Sequence, residues 1–362
     1  MSLDFTIEAP PPDYAAFEAM LTGRERPRRV HLAELRMDEE LVRWVTENVF
    51  GERWVPVEQD RRAYYRQFVR FAARLGYDVY CYWGYPWIGV PEFEQRLGDD
   101  TAALSMGRRS WVEESHGLIR DWADFRAFPW NQVRHDDSLL DALAEALPPG
   151  MKLAVSTHLF AAVSQRFLGM QQTFLLAHDD PALIRAVMEV WGEKVHAYYE
   201  ACLAHPAVAA VMHADDLGHK TGTLLAPDFL RDQVLPWFTR YAELAHSRGK
   251  QFWLHSCGNT YALMEDFIEG VKIDAYHSFQ DVIMPVAEFQ RRWGDRIGVM
   301  GGVDMDALGR MPLEEFRGYV RGILADCMPR GRYALGAGNS LANYVRPENY
   351  LAMLQEGWRW GK

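Results

Sequence analysis

Short, almost unbroken apolar runs alternate along the chain with longer stretches whose apolar positions recur every three or four residues. The short runs, at 29–35, 77–83, 152–157, 209–214, 251–255, 273–278, 297–300 and 333–335, read as strands buried on both faces. The longer stretches read as amphipathic helices. A first helix is expected at 13–24. In 228–248, Phe229, Val234, Leu235, Phe238, Tyr241, Leu244 and Ala245 form one stripe, and Ser247-Arg248-Gly249 stops it. Further helices are expected at 263–269, 285–293, 313–327 and 347–360.

Strand and helix in strict alternation predict a parallel sheet covered by helices. Eight such units, with no GxGxxG turn after the first strand, favour a single (β/α)8 TIM-type barrel over a Rossmann sheet. The chain is therefore expected to be one domain, 1–362, with an N-terminal arm and helix at 1–27. A large insert between strands two and three, 84–150, is expected to cover the active-site rim. A hairpin pairing 103–111 with 117–125 is expected inside it.

Composition narrows the class. Apolar residues make up 49% of the 362 positions and charged ones 25%, which excludes wholesale disorder. Fifty acidic against 39 basic residues leave −11, the opposite of a nucleic-acid binder's balance. No apolar run is long enough for a membrane span, and the start, MSLDFTIEAPPPDY, lacks the basic and apolar segments of a secretory leader. A soluble, cytoplasmic protein is expected. Four cysteines make no disulfide framework. The 13 Trp, 16 Tyr and 18 Phe serve either core packing or an aromatic-walled pocket. Trp358 and Trp360 near the C-terminus suit a homodimer interface.

In such a barrel the chemistry sits at the carboxyl ends of the strands. Polar and glycine residues gather there: Glu34, Trp83-Gly84-Tyr85, His158, His213-Ala214-Asp215-Asp216, His255 to Asn259, His277 to Gln280, Gly301 to Asp304, and Gly336 to Asn339. The sharpest element is His255-Ser256-Cys257. Residues two apart on a strand project to one side, so imidazole and thiol can converge, and both are favoured zinc ligands. The same pair could instead be a buried thiol beside a histidine bonded to a carbonyl. A catalytic zinc needs a third protein ligand, for which His277, Asp215, Asp216 and Glu34 are the candidates. Asp215 and Asp216 could also act as acid and base, or one could cap a helix. Glu34, Trp83, Tyr85, Asn259, Gln280, Asp304 and Asn339 are candidate substrate contacts. Gly301-Gly302 suggests a loop of close backbone approach.

Taken together, Met212–Gly222 (MHADDLGHKTG), Pro236, His255-Ser-Cys-Gly-Asn259, Ile273-Asp274, Gly301-Gly-Val-Asp304 and Leu335-Gly-Ala-Gly338 resemble the uroporphyrinogen decarboxylase superfamily. Within it they are most similar to the branch of corrinoid-dependent methyltransferases. The likeness runs from about residue 205 to the C-terminus. It implies a (β/α)8 barrel and, in thiol-methylating members, zinc held by the H-x-C pair plus a later cysteine. That later position is Ala337 here. The Arg-rich motif of true uroporphyrinogen decarboxylases is also missing after the first strand, which leaves no evident basic cradle for a polycarboxylate.

The function expected on these grounds is methyl transfer between a methylcorrinoid, carried on a partner protein, and a small acceptor. In the zinc form, His255, Cys257 and His277 or Asp216 hold the metal and the acceptor is a thiol; without zinc, tetrahydrofolate is the acceptor. The alternatives are a decarboxylase or lyase acting on a carboxylated substrate, and a barrel that only binds a small molecule.

Overall fold

All eight apolar runs form strands in the computed structural model, which describes residues 5–83, 87–92, 95–112 and 115–361. They are β1 (His31–Leu32), β2 (Val79–Tyr82), β3 (Lys152–Val155), β4 (Val208–Ala214), β5 (Gln251–His255), β6 (Ala275–His277), β7 (Gly298–Met300) and β8 (Tyr333–Leu335). Every neighbouring pair is parallel, in the order β1-β8-β7-β6-β5-β4-β3-β2. From β2 to β8 each strand lies beside the next, β8 pairs in turn with β1, and the two ends of the order are the first two strands. This is a mixed α/β fold with a curled parallel sheet, consistent with the TIM-type barrel.

Two apolar layers follow from the alternation of side chains along each strand. The inner one gathers Val79, Cys81, Ala154, Ala210, Met212, Ala214, Trp253, Ala275, Met300 and Ala334. Small residues dominate because eight strands converge there and little volume remains. The outer layer, between sheet and helices, takes the intervening residues, such as Leu153, Val211, Phe252, Leu254, Tyr276 and Val299. Helix Tyr14–Leu21, capped by the Asp13 carboxylate on Ala16 N–H, belongs to the inner layer. Its fully buried Phe17 meets the rings of His31 and Trp253 edge-on, at 5.8 Å each.

Several local expectations are corrected. The helix expected over 228–248 is two, Pro227–Gln233 and Leu235–Ser247. Pro236 has no N–H to continue the ladder, and its ring crowds the carbonyl four residues back. In place of a helix over 263–269 there is a 3₁₀ turn, Tyr261–Leu263, and a π-helical turn, Asp266–Val271. Among the described residues of the insert one antiparallel ladder joins Gln95–Asp99 to Arg108–Val112, not 103–111 to 117–125, and a second joins Trp87–Ile88 to Arg134–His135. Asp121 instead caps a helix, Trp122–Ala127, and Gly117, Leu118 and Ile119 donate to carbonyls of 166–168. Trp358 is buried, with its ring against Phe5. No helix among the described residues is long and apolar enough to cross a membrane.

Candidate active site at the carboxyl ends of the strands

Register brings the site together. His277 on β6 lies directly opposite His255 on β5, and both follow inward-facing residues, Ala275 and Trp253, by two positions. The two imidazoles therefore project inward side by side, Nδ1 to Nδ1 at 2.7 Å. The far nitrogen of His255, Nε2, faces the Cys257 sulfur at 3.4 Å and Asp216 Oδ1 at 3.9 Å. One ligand atom each from Asp216, His255 and Cys257 falls within 4.8 Å of the others. The structure thus groups Asp216, and not His277, with the H-x-C pair. His277 stands behind His255, with its Nε2 3.2 Å from the carbonyl oxygen of Ala337.

The loop carrying Cys257 is fixed from several sides. The Asn339 amide donates to the sulfur at 3.2 Å, and Asp216 Oδ1 accepts the Cys257 N–H at 3.3 Å. Buried Ser256 accepts the Leu217 N–H. Gly258, at φ +81°, packs so closely on Gly218 that a Cβ would stand 2.2 Å from that residue's carbonyl carbon, so only glycine fits this turn. Burial, and then the Asp216 carboxylate, push the thiol of Cys257 up. Burial pulls His255 down to about 3 and His277 well below the usual range, so both rings are neutral.

Asp215 has a different environment. Its side chain is fully buried, accepts N–H groups of Leu159, Phe160 and Ala161, and meets His213 Nε2 at 3.0 Å. His213 faces the outer layer, where Tyr199 Oη lies 2.8 Å from its Nδ1. Asp215 thus ties β4 to the start of helix Phe160–Ala162.

Glu34 and Trp83 line a cleft of about 550 Å³ between the ends of β1 and β2. Its walls include Tyr64, Tyr65, Tyr77 and Phe68, and its mouth Arg36, Asp38 and, from the insert, Arg109. Both Glu34 oxygens accept the Ala337 N–H, at 3.1 and 3.2 Å, and the Tyr77 hydroxyl donates at 3.4 Å. Burial outweighs these bonds and pushes the Glu34 carboxyl up to about 8. Arg36 and Arg109 both sit on Asp38.

The other expected contacts scatter. Asn259 accepts the Tyr261 N–H within its own turn, and Gln280 is exposed. Asp304 caps helix Met305–Arg310 through Asp306 N–H and accepts Asp281 N–H. Tyr85 lies outside the described residues. Sequence reasoning missed the Ala337 backbone, Tyr77 and Arg109. Backbone groups leave no residue signal, and Arg109 reaches Asn343 across 234 positions of chain.

A curled parallel sheet bearing a histidine, cysteine and aspartate cluster at its carboxyl end has the layout of a barrel enzyme's site. Residues 157–358, more than half of the chain, match the model of the uroporphyrinogen decarboxylase (URO-D) family, and the chain belongs to that family. Among solved structures, a methyltransferase from Methanosarcina mazei is similar in fold, with a TM-score of 0.68 at 14% identity over 98% of both chains. A glycosylated endo-beta-1,4-xylanase from Gloeophyllum trabeum matches 61% of this chain and 78% of its own, at 9% identity and a TM-score of 0.39, which is too low to bear on function. Among curated proteins no sequence matches.

Proposed function

We propose that the protein is a methyltransferase that moves a methyl group between a methylcorrinoid, carried on a partner protein, and a small thiol acceptor. The observation that carries this reading is the convergence of Asp216, His255 and Cys257. Their oxygen, nitrogen and sulfur donors suit zinc, and three protein ligands leave a position for a substrate. The resemblance places its third ligand at 337, where this chain has alanine, and Asp216 offers a replacement from the end of β4. Zinc, when bound, would lower the pKa of the acceptor thiol.

The remaining steps belong to side chains. Asn339 holds the Cys257 sulfur, and Asp216, with a side chain 41% exposed, is the member of the cluster most open to an incoming substrate. In this reading the curled sheet closes as a (β/α)8 barrel, and the insert, through Arg109 on Asp38 and Asn343, covers the cleft beside the rim. Decarboxylation of a polycarboxylate is disfavoured because the two arginines of the cleft already face Asp38.

Zinc stoichiometry on the full chain, beside Cys257→Ala, tests the reading. About one zinc per chain, lost in the variant, together with acceptor-dependent loss of the methylcobalamin spectrum, is expected. No zinc after reconstitution would overturn the thiol mechanism. Heat on titration with tetrahydrofolate would then favour a pterin acceptor.

A further inference from the structure

The pair of imidazoles at the rim has an order that the ligand cluster alone does not explain. His277 Nε2 points at the carbonyl oxygen of Ala337, 3.2 Å away. A carbonyl can only accept, so that nitrogen carries the proton. On the other side of the ring, His277 Nδ1 meets His255 Nδ1 at 2.7 Å, a distance that requires one proton between them. If His277 held that proton too, it would be a cation. It is fully buried, and its two polar contacts are another imidazole and a carbonyl, neither of which neutralises a charge. The shared proton therefore belongs to His255 Nδ1, and Nε2 is the nitrogen left to face Cys257 and Asp216.

We infer that His277 is a positioning residue that, anchored on the Ala337 carbonyl, fixes His255 in the Nδ1–H tautomer and so presents Nε2 ready to bind a metal. The inference deepens the zinc reading and rests on it for its consequence, though not for the tautomer itself. An outer hydrogen bond of this kind orients a ligating histidine and sets which nitrogen is free. Here the anchor is a backbone carbonyl, reached through a second histidine.

The surroundings are shaped for this contact. Gly301 follows β7 at φ +89°, and a Cβ there would stand 2.4 Å from the Ala337 oxygen and 3.0 Å from the His277 ring. The glycine leaves room for ring and carbonyl to meet. Ala337 is held on its other side by its N–H to Glu34. The Gly301-Gly302 loop is therefore a close approach of backbone to an imidazole.

The tautomer is directly observable. Nitrogen-15 spectra of the metal-free full chain, labelled at histidine, should show His255 protonated at Nδ1 with an unprotonated Nε2; a proton on Nε2 would overturn the inference. Zinc affinity, read by chelator competition, gives the second measurement. His277→Leu should weaken zinc by about 10–100-fold, the cost of losing an outer partner. His277→Gln should restore most of it, since its amide can accept from His255 and donate to Ala337. Binding by His277→Leu within about twofold of the wild type would show that the relay does not set affinity. If His277→Leu fails to fold, the nitrogen spectra of the wild type still decide. If the wild type binds no zinc, the functional reading fails while the tautomer is still tested on its own.

Discussion

The arc from β4 to β6 and the seam between β1 and β2 are held by different means. Along the arc, backbone ladders run from Ala210 paired with Gln251 to Ala214 paired with His255, and on to His277. At the seam, no ladder joins β1 to β2 among the described residues. Side chains cross it instead. The fully buried Asp78 carboxylate takes Arg29 at 2.6 Å, His31 at 2.7 Å and the Asp13 N–H at 2.6 Å. Where backbone holds the strands, inward positions are left for chemistry, and His255 and His277 occupy them. Where side chains hold the strands, polar groups are committed to that contact and the backbone parts into a cleft.

If that division is correct, substitutions in the two regions should have opposite signatures. Asp78→Ala leaves a buried histidine and an arginine without their carboxylate, and removing one partner of such a group costs about 3–5 kcal/mol. Urea unfolding should show that loss, while the folded fraction still binds zinc. A cost below about 1 kcal/mol would mean that the seam is held by something other than Asp78. Cys257→Ala should do the reverse, abolishing zinc binding and methyl transfer while changing unfolding by no more than about 1 kcal/mol. A large destabilisation in metal-free protein would recast the cluster as structural.

The two regions also differ in how far the sequence reveals them. The arc was legible because its signals are local. Near-continuous apolar runs marked the strands, and His255-Ser256-Cys257 at a strand end marked the donors. The third donor was ambiguous because Asp216 and His277 each stand at the end of a strand next to β5, one on either side. Only the register of β5 on β6, which sets His277 beside His255, places one behind the site and the other in it. Asp215 and Asp216 were indistinguishable for a related reason. Adjacent residues at a strand end face opposite ways, and one finds three backbone N–H groups while the other finds a thiol. The seam was illegible because its contacts join residues far apart in sequence, such as Asp78 with His31 across 47 positions and with Asp13 across 65. A carbonyl anchor such as that of Ala337 is a property of backbone position, which no residue type announces.

Glu34 gives the seam a pH signature. Its folded value, about 8, lies above the ordinary carboxylate range because burial penalises the anion. A raised folded value means stability that is complete below the unfolded value of about 4.5 and is lost as pH rises through 8. Each unit of that gap corresponds to about 1.4 kcal/mol. Wild-type unfolding free energy should therefore fall between about pH 5 and 9, and Glu34→Gln should flatten the slope. An unchanged slope would mean that Glu34 ionises normally and the cleft is wetter than its walls suggest.

The smallest effect is expected on the far side of the arc, at the amino ends of β5 and β6. There Asp274 accepts the Phe252 N–H and meets His246 of helix Leu235–Ser247 at 2.9 Å. The hydrogen bond to Asp274 raises the His246 pKa. Its stabilisation is therefore complete below the unfolded value of about 6.5 and lost as pH rises through the folded one. Both side chains are partly solvated, 35% and 25% exposed, so screening keeps the effect small. His246→Ala should lower stability by less than about 1 kcal/mol near pH 5.5 and by nothing measurable near pH 9. A loss equal at both pH values would assign His246 a packing role. A loss as large as that of Asp78→Ala would show that the arc, too, depends on side chains, and the contrast between the two regions would fail.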